Sequence, residues 1–435
     1  MDLQILILLL SFTALLLMDV PVAVCIGVAT VLTMYSIGEV PTEYITAQRL
    51  STGIASFPLL AIPFFVLAGV LMGAGGMARR LMDFANALVG GFHNGLSYVN
   101  TITCMLFGAV SGSAAAAVSS IGSFMMPEME RKGYGRPFSV ALTTTSATTG
   151  LLIPPSNIMI VYAVVAGNVS ITSLFIAGVV PGMVVGGLLM VASWWVQRKN
   201  RSEELSHASP RKMLISFLQA VPSLALIFIV MGGILGGIFS ATEASAVAAL
   251  YAFLLGVVFY REVKIKQIPE VLLQSAKTTA IVMFLVGASQ AMSWVLSYEM
   301  IPQTVSDAML AISDSPIVTL LIINILLLVV GTFMDMTPAV LIFTPIFLPV
   351  VTGFGMDPVH FGIMMIANLC IGLCTPPVGT CLFVGCGVGK TTLAQVMRPL
   401  VPMFIAMFAG LLIISYVPAV SLWLPNFIES LLPGQ

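Results

Sequence analysis

Apolar residues run along this chain in long blocks that leave no wet stripe at helical spacing, separated by short polar or Gly/Pro-marked breaks. A helix needs about 20 such residues to cross a bilayer. On that measure the pattern predicts about ten crossings, at 2–18, 20–38, 56–76, 138–166, 171–196, 214–240, 243–260, 278–298, 359–388 and 400–424. Two further stretches, 95–130 and 316–352, are too long for one crossing and are broken in the middle, by Ser111-Gly112-Ser113 and by Asp335-Met336-Thr337-Pro338. Met1-Asp2 leads into the first block without a basic flank or a small-residue cleavage site, so that block is expected to persist as a span. Segments 79–88 and 297–312 are amphipathic and open the two broken stretches. They read as arms joining static to moving parts, or as ordinary surface helices.

Composition agrees with lipid as the solvent. Of 435 residues, 59% are hydrophobic and only 8% charged, against about 25% charged in soluble domains, and the mean hydropathy is +1.07. A net charge of −1 and 9% aromatic residues offer neither a basic face nor a stacking platform for nucleic acid. The six cysteines lie inside apolar runs without a C-x-x-C pair, which suits packed thiols better than disulfides or zinc. His93, His207 and His360 are scattered, with no metal set or catalytic triad around them, so an enzyme is not expected. Gly385 to Thr391 imitates a phosphate loop, but the pattern requires Gly at 384 and the residue is Val384. Gly232/Gly236 and Gly233/Gly237 form G-x-x-x-G pairs, a general close-packing signal.

Lys and Arg flanking short loops stay in the cytoplasm, and here they assign the sides. If both broken stretches are re-entrant hairpins, sixteen of the 17 Lys and Arg fall on one side, and Arg49 alone falls on the other with both termini. A complete crossing by either stretch would separate the clusters at 198–212 and 261–277 from Arg79-Arg80. The charges therefore argue for hairpins.

The chain also matches itself. Gly150-Leu-Leu-Ile-Pro154-Pro155 corresponds to Gly372-Leu-Cys-Thr-Pro376-Pro377 at a spacing of 222, Pro127 to Pro349 at 222, Gly133-Tyr-Gly135 to Gly353-Phe-Gly355 at 220, and the break at Gly112 to that at Asp335 at 223. Each half reads as a hairpin, a Gly-x-Gly turn and a span interrupted by Pro-Pro. By the charge assignment the first hairpin enters from the cytoplasm and the second from outside, an inverted-topology repeat of the kind that presents one central site to either face. Unwound backbone inside lipid persists only where it lines a cavity or holds an ion. Pro-Pro removes two amide donors and frees carbonyls for a small cation, while new helix N-termini favour an anion. Two cation sites around one anion site are expected; the alternative is that Pro-Pro only kinks each span for packing.

At these residues the sequence resembles the large membrane subunit of the tripartite ATP-independent periplasmic (TRAP) transporters, the DctM-like family within the wider ion-transporter superfamily. The resemblance covers nearly the whole chain and is carried by Leu60-Ala-Ile-Pro63-Phe-Phe-Val-Leu-Ala-Gly69, Ser111-Gly112-Ser113-Ala114, Ile153-Pro154-Pro155-Ser156, Phe239-Ser240-Ala241-Thr242-Glu243-Ala244, Met334-Asp335-Met336-Thr337-Pro338 and Thr375-Pro376-Pro377-Val378-Gly379. It implies an all-α, elevator-type carrier of the bacterial inner membrane, driven by sodium (Na+), without nucleotide. Its partners would be a periplasmic substrate-binding protein and a small four-helix membrane subunit. Organic acid anions such as sialic acids, C4-dicarboxylates or sugar acids are the implied cargo. The corresponding division is 1–78 as N-terminal scaffold, 79–196 as first transport repeat, 197–298 as loop and second scaffold spans, and 299–435 as second transport repeat.

Carried onto this sequence, Ser111, Gly112 and Ser113 with Gly150 and Pro154 would enclose one sodium, and Asp335 and Thr337 with Gly372, Thr375 and Pro377 the other. Substrate would lie between the tips, against Ser113, Ser156, Asn157, Asp335 and Thr380. Asp335 can also be read as a hairpin cap or a proton carrier. Arg49 is either an outer residue that steers the anion or meets the binding protein, or a solvated interfacial base. Many members of the family carry Asp or Thr shortly after Ser-Gly-Ser-Ala, whereas Ala115, Ala116 and Ala117 follow here. A stand-alone sodium- or proton-coupled carboxylate carrier of the same superfamily, and a channel, are the competing functions.

Overall fold

The computed structural model describes residues 3–38, 41–198, 210–313, 315–376 and 378–431, all helical or connecting, with no strand among them. The chain opens with two short apolar helices packed on one another, α1 (Leu3–Leu17) and α2 (Val22–Ile37), and continues with the exposed helix α3 (Thr42–Ile54). The Tyr35 hydroxyl donates to the Glu43 carboxylate, ties α2 to α3 and holds the Glu43 carboxyl below the usual range. A 3₁₀ turn at Phe57–Leu60 leads into α4 (Ala61–Ala74), and α5 (Met77–Val89) is the first amphipathic arm. Arg80 on α5 pairs with Glu262 at 3.4 Å and lies 3.6 Å above the Tyr260 ring.

The first broken stretch is α6 (Gly95–Ser111) and α7 (Ala114–Arg131); the interrupted span is α8 (Arg136–Thr149) and α9 (Asn157–Ala166), bent by 46°. Six buried Thr and Ser hydroxyls of α8 fall within residues 143–149, and Thr145, Thr148 and Thr149 return theirs to carbonyls three or four residues back, which lets a polar run sit in the core. Then follow α10 (Ile171–Gln197), α11 (Pro210–Leu235), α12 (Ala241–Phe253), extended by a π turn at Leu254–Phe259, and α13 (Ile268–Tyr298). The second arm is α14 (Ile301–Ile312) and the second broken stretch α15 (Pro316–Phe333) and α16 (Met336–Gly353). The second interrupted span is α17 (Pro358–Gly372) and α18 (Thr380–Gly389), before α19 (Leu393–Tyr416) and α20 (Pro418–Leu431).

Among the described residues eight helices are long and apolar enough to cross a membrane, or nine with the bent α8–α9 pair. Two of the eight are the arms of the second broken stretch, so length alone does not separate hairpin from span. Packing does. A Cβ placed on Gly73 of α4 would lie 3.5 Å from Ser120 of α7 and 3.7 Å from Phe107 of α6, so those arms run side by side. The first turn of α15 and the last turn of α16 likewise face one pocket through Pro316, Ile317, Val351 and Phe354. In both stretches the chain doubles back at its break.

Four boundaries differ from the pattern. α13 starts ten residues before 278, because Pro269 and Glu270 suit a first turn and Lys277 extends from an exposed face. α11 stops at Leu235, where Gly237 turns at φ +64° and Ile238 and Phe239 donate back to Gly233. The second arm starts at Ile301, after Met300 at φ +51°, leaving Ser297 in α13. The segment 400–424 is two helices, because Pro418 forces Val417 out of the helical region (φ −120°, ψ 85°).

Contacts recur at the spacing seen in the sequence. Gly108 of α6 abuts Gly150 backbone to backbone, and Gly331 of α15 abuts Gly372 in the same way, 223 and 222 residues on. Thr101 meets Ser146 at 3.1 Å, and Asn368 donates to Asn324 at 2.8 Å. Packing is also exchanged crosswise, α7 lying on α18 and α16 on α9. The Cys370 thiol donates to the carbonyl of Thr148, its own counterpart, at 3.1 Å.

Candidate functional site

The two tips and the two interruptions face a common cavity of about 720 Å³. The first turns of four helices reach it: Ala114 to Ala116 of α7, Asn157 and Ile158 of α9, Met336 and Thr337 of α16, and Thr380 and Cys381 of α18. Its other wall is α4, through Gly69, Val70 and Gly73, and the start of α13, through its N-cap Gln267 and through Glu270, Gln274 and Thr278.

At the first tip Ser111 ends α6, Gly112 turns at φ +60° and Ser113 caps α7, its hydroxyl accepting from the Ala116 amide at 3.3 Å. Gly112 has no room for a side chain, since a Cβ would stand 2.5 Å from Asn157 Nδ2. Opposite, Ile153 donates to the Gly150 carbonyl at 3.2 Å, Pro154 and Pro155 follow, joined by a cis peptide, and Ser156 caps α9 without a side-chain bond. The Ser156 hydroxyl and Asn157 Oδ1 are buried with no hydrogen-bond partner. Gly150, Pro154 and Ser156 are buried and do not line the cavity, which Asn157 reaches.

At the second tip Asp335 holds the N-cap position of α16 but closes no capping bond, and its side chain is exposed to the cavity beside Thr337. In the second interruption Thr375 donates its amide to Gly372 at 2.9 Å and its hydroxyl to Ile371 at 2.7 Å. The Val378 amide crosses to the Thr332 carbonyl at 3.3 Å and that of Cys381 to Leu373 at 3.1 Å. Gly372 and Thr375 lie behind the lining, Thr380 is exposed on it, and Pro377 lies outside the described residues. Arg49 is on the exposed face of α3 and does not reach the cavity.

The sequence matches the family described as "Tripartite ATP-independent periplasmic transporter, DctM component" over residues 9–420. The chain belongs to the TRAP transporter large-subunit family. It is 39% identical over 428 residues to the C4-dicarboxylate TRAP transporter large permease protein DctM of Rhodobacter capsulatus, covering 95% of this chain and 97% of that one. It is 39% identical over 380 residues to the sialic acid TRAP transporter large permease protein SiaM of Vibrio cholerae, covering 87% and 89%. Among solved structures, the YdaH transporter of Alcanivorax borkumensis shares the fold at a TM-score of 0.61 with 14% identity, over 88% of each chain. This TRAP large subunit is therefore a multi-pass membrane transport protein of a family that serves organic acids, and not an enzyme.

The cavity of the TRAP subunit has a definite electrostatic design. Among the described residues its lining holds two carboxylates, Asp335 and Glu270, and no Lys or Arg. Positive potential comes instead from four helix N-termini, whose first amides lack helical partners and point at the same space. The wall at α13 was not anticipated, although the N-cap Gln267 and Glu270, Gln274 and Thr278 stand three or four residues apart on one face. Gly69 lies within a family-like motif, and its part is steric: a Cβ there would strike the Ser111 carbonyl at 2.7 Å.

Proposed function

We propose that the chain carries an organic acid anion together with sodium across the bacterial inner membrane, receiving it from a periplasmic binding protein and working beside a small four-helix subunit. The observation that carries this reading is the convergence of four helix N-termini on a cavity whose described lining holds two carboxylates and no basic side chain. N-termini alone hold an anion weakly in so acidic a lining. Sodium beside Asp335 and the free carbonyls would complete the field. The orphaned acceptors at Ser156 and Asn157 suit a hard cation or a donor group of the substrate.

Two halves of opposite orientation, with both termini periplasmic, supply alternating access. The contact of Cys370 with its counterpart Thr148 supports a two-fold relation between the halves. α4 and α13 would be the static wall and the hairpins with their broken helices the moving part. The cavity extends toward the start of α13, beside Lys264 and Lys266, the end that the basic residues assign to the cytoplasm; this is an inward-facing arrangement.

The test is uptake into proteoliposomes holding both membrane subunits, with the binding protein outside. Uptake should require sodium and the binding protein together. Uptake unchanged in sodium-free buffer would end the coupled reading, and uptake without the binding protein would favour a stand-alone carrier.

A further inference from the structure

We propose that a second pocket, at the far end of the second hairpin, holds the head group of a zwitterionic aminophospholipid. The pocket is about 310 Å³ and lies where the first turns of α15, α17 and α20 meet the last turns of α16 and α19. His360 lines it, 2% exposed; neither ring nitrogen closes a well-formed hydrogen bond, although the ring interacts with the Ser415 backbone. A neutral imidazole has one donor and one acceptor, and leaving buried polar groups unmatched is unfavourable. Thr319 on α15 and Ser421 on α20 carry two further fully buried, unpartnered hydroxyls, which lie outside the lining. The first half differs. At the matching position of α8, 222 residues earlier, stands Phe138, whose ring stacks on Tyr134 with centroids 6.0 Å apart. Hydrocarbon closes that position in one half, and a hydrogen-bonding ring faces a pocket in the other.

The rim gives the depth. Tyr416 forms part of the wall, and Trp423, beside Leu422 of the lining, is exposed and stacks on Phe427. Such aromatics concentrate at the head-group level of a bilayer. Ile317 of the wall is 65% exposed and continues into the apolar outer face of α15, with Leu321 and Ile325, along which acyl chains can lie.

Charge selects the head group. Among the described residues the lining has no Lys or Arg and one carboxylate, Asp357, whose Oδ1 accepts from the Val359 amide at 2.7 Å and the His360 amide at 3.4 Å. An anionic head is disfavoured there. An ammonium meets Asp357, and phosphate or ester oxygens accept from His360. A pocket this small suits a head group and leaves the tails outside.

The test reconstitutes the full-length protein in vesicles of phosphatidylethanolamine and phosphatidylglycerol in equal amounts and reads the co-extracted lipid by native mass spectrometry. Wild type should retain phosphatidylethanolamine over phosphatidylglycerol by about fivefold, the factor of one exposed charge pair. Asp357→Asn keeps a helix-capping oxygen and should bring the two lipids to parity. His360→Phe, which copies the first half, should lower retention of both, whereas His360→Gln, which keeps a donor and an acceptor, should restore it. Melting curves in detergent verify that each variant is folded. Equal retention of the two lipids by wild type, an unchanged preference in Asp357→Asn, or full competition by soluble phosphoethanolamine without acyl chains would each overturn the proposal.

Discussion

Replacing Gly372 by alanine tests whether hairpin-on-helix packing sets the transport site. A Cβ there would stand 2.7 Å from the Cα, carbonyl carbon and carbonyl oxygen of Gly331. Carbon atoms in contact settle at about 3.5–4.0 Å, so α15 and α17 would have to part by roughly 1 Å, with no flexible side chain available to yield. Overpacking of this kind costs about 1–3 kcal/mol. The strain falls at a sensitive place, because Gly372 ends α17 and the neighbour of Gly331, Thr332, accepts the Val378 amide that ties the interruption to the hairpin. We expect Gly372→Ala to melt earlier in detergent and to need more sodium for half-maximal uptake. Gly150→Ala, whose Cβ would meet Gly108 Cα at 2.6 Å, should behave alike. Gly187→Ala, in α10 with open space around its Cβ, is the control and should change neither property. Wild-type melting and sodium dependence in Gly372→Ala would refute the reasoning.

Three further outcomes are expected. Gly112→Ala forces a side chain onto a backbone at φ +60° and against Asn157; the left-handed conformation alone costs about 1–2 kcal/mol, and uptake should fall far more than folded yield, as flux and detergent melting measured on one preparation will show. Asp335→Asn removes the charge proposed to hold one cation, a contribution of about 1.5–3 kcal/mol, so the sodium concentration for half-maximal uptake should rise about 10- to 100-fold; an unchanged sodium titration would take Asp335 out of the site. Thr380→Cys, exposed on the cavity, should react with a membrane-impermeant maleimide from the cytoplasmic side of vesicles lacking sodium and substrate, and reaction from the outer side alone would reverse the assigned orientation.

The breaks at Ser111-Gly112-Ser113, Asp335 and Pro154-Pro155 were legible because glycine, proline and polar residues inside an apolar run leave the backbone few other conformations. Proline alone is a poor guide. Pro181, Pro222 and Pro402 lie inside continuous helices, while Pro418 separates α19 from α20, and neighbouring helices decide which occurs. The polar face of α13 was hidden because Glu270 and Lys277 read as a loop flank, although a helix longer than the apolar layer carries such residues past its edge. Arg49 shows the reach of charge counting, which reports a side of the membrane and says nothing about distance from the cavity. Which residues line and which lie behind was equally hidden: Gly150 and Gly372 sit at the breaks, yet each faces the glycine of a hairpin arm.

The most direct measurement follows radiolabelled sodium and organic acid in the same proteoliposomes, with the binding protein outside and the voltage clamped. Sodium should enter with the acid in a fixed ratio greater than one, and removing either should stop the other. Acid entry that proceeds at full rate with no accompanying sodium would contradict the account.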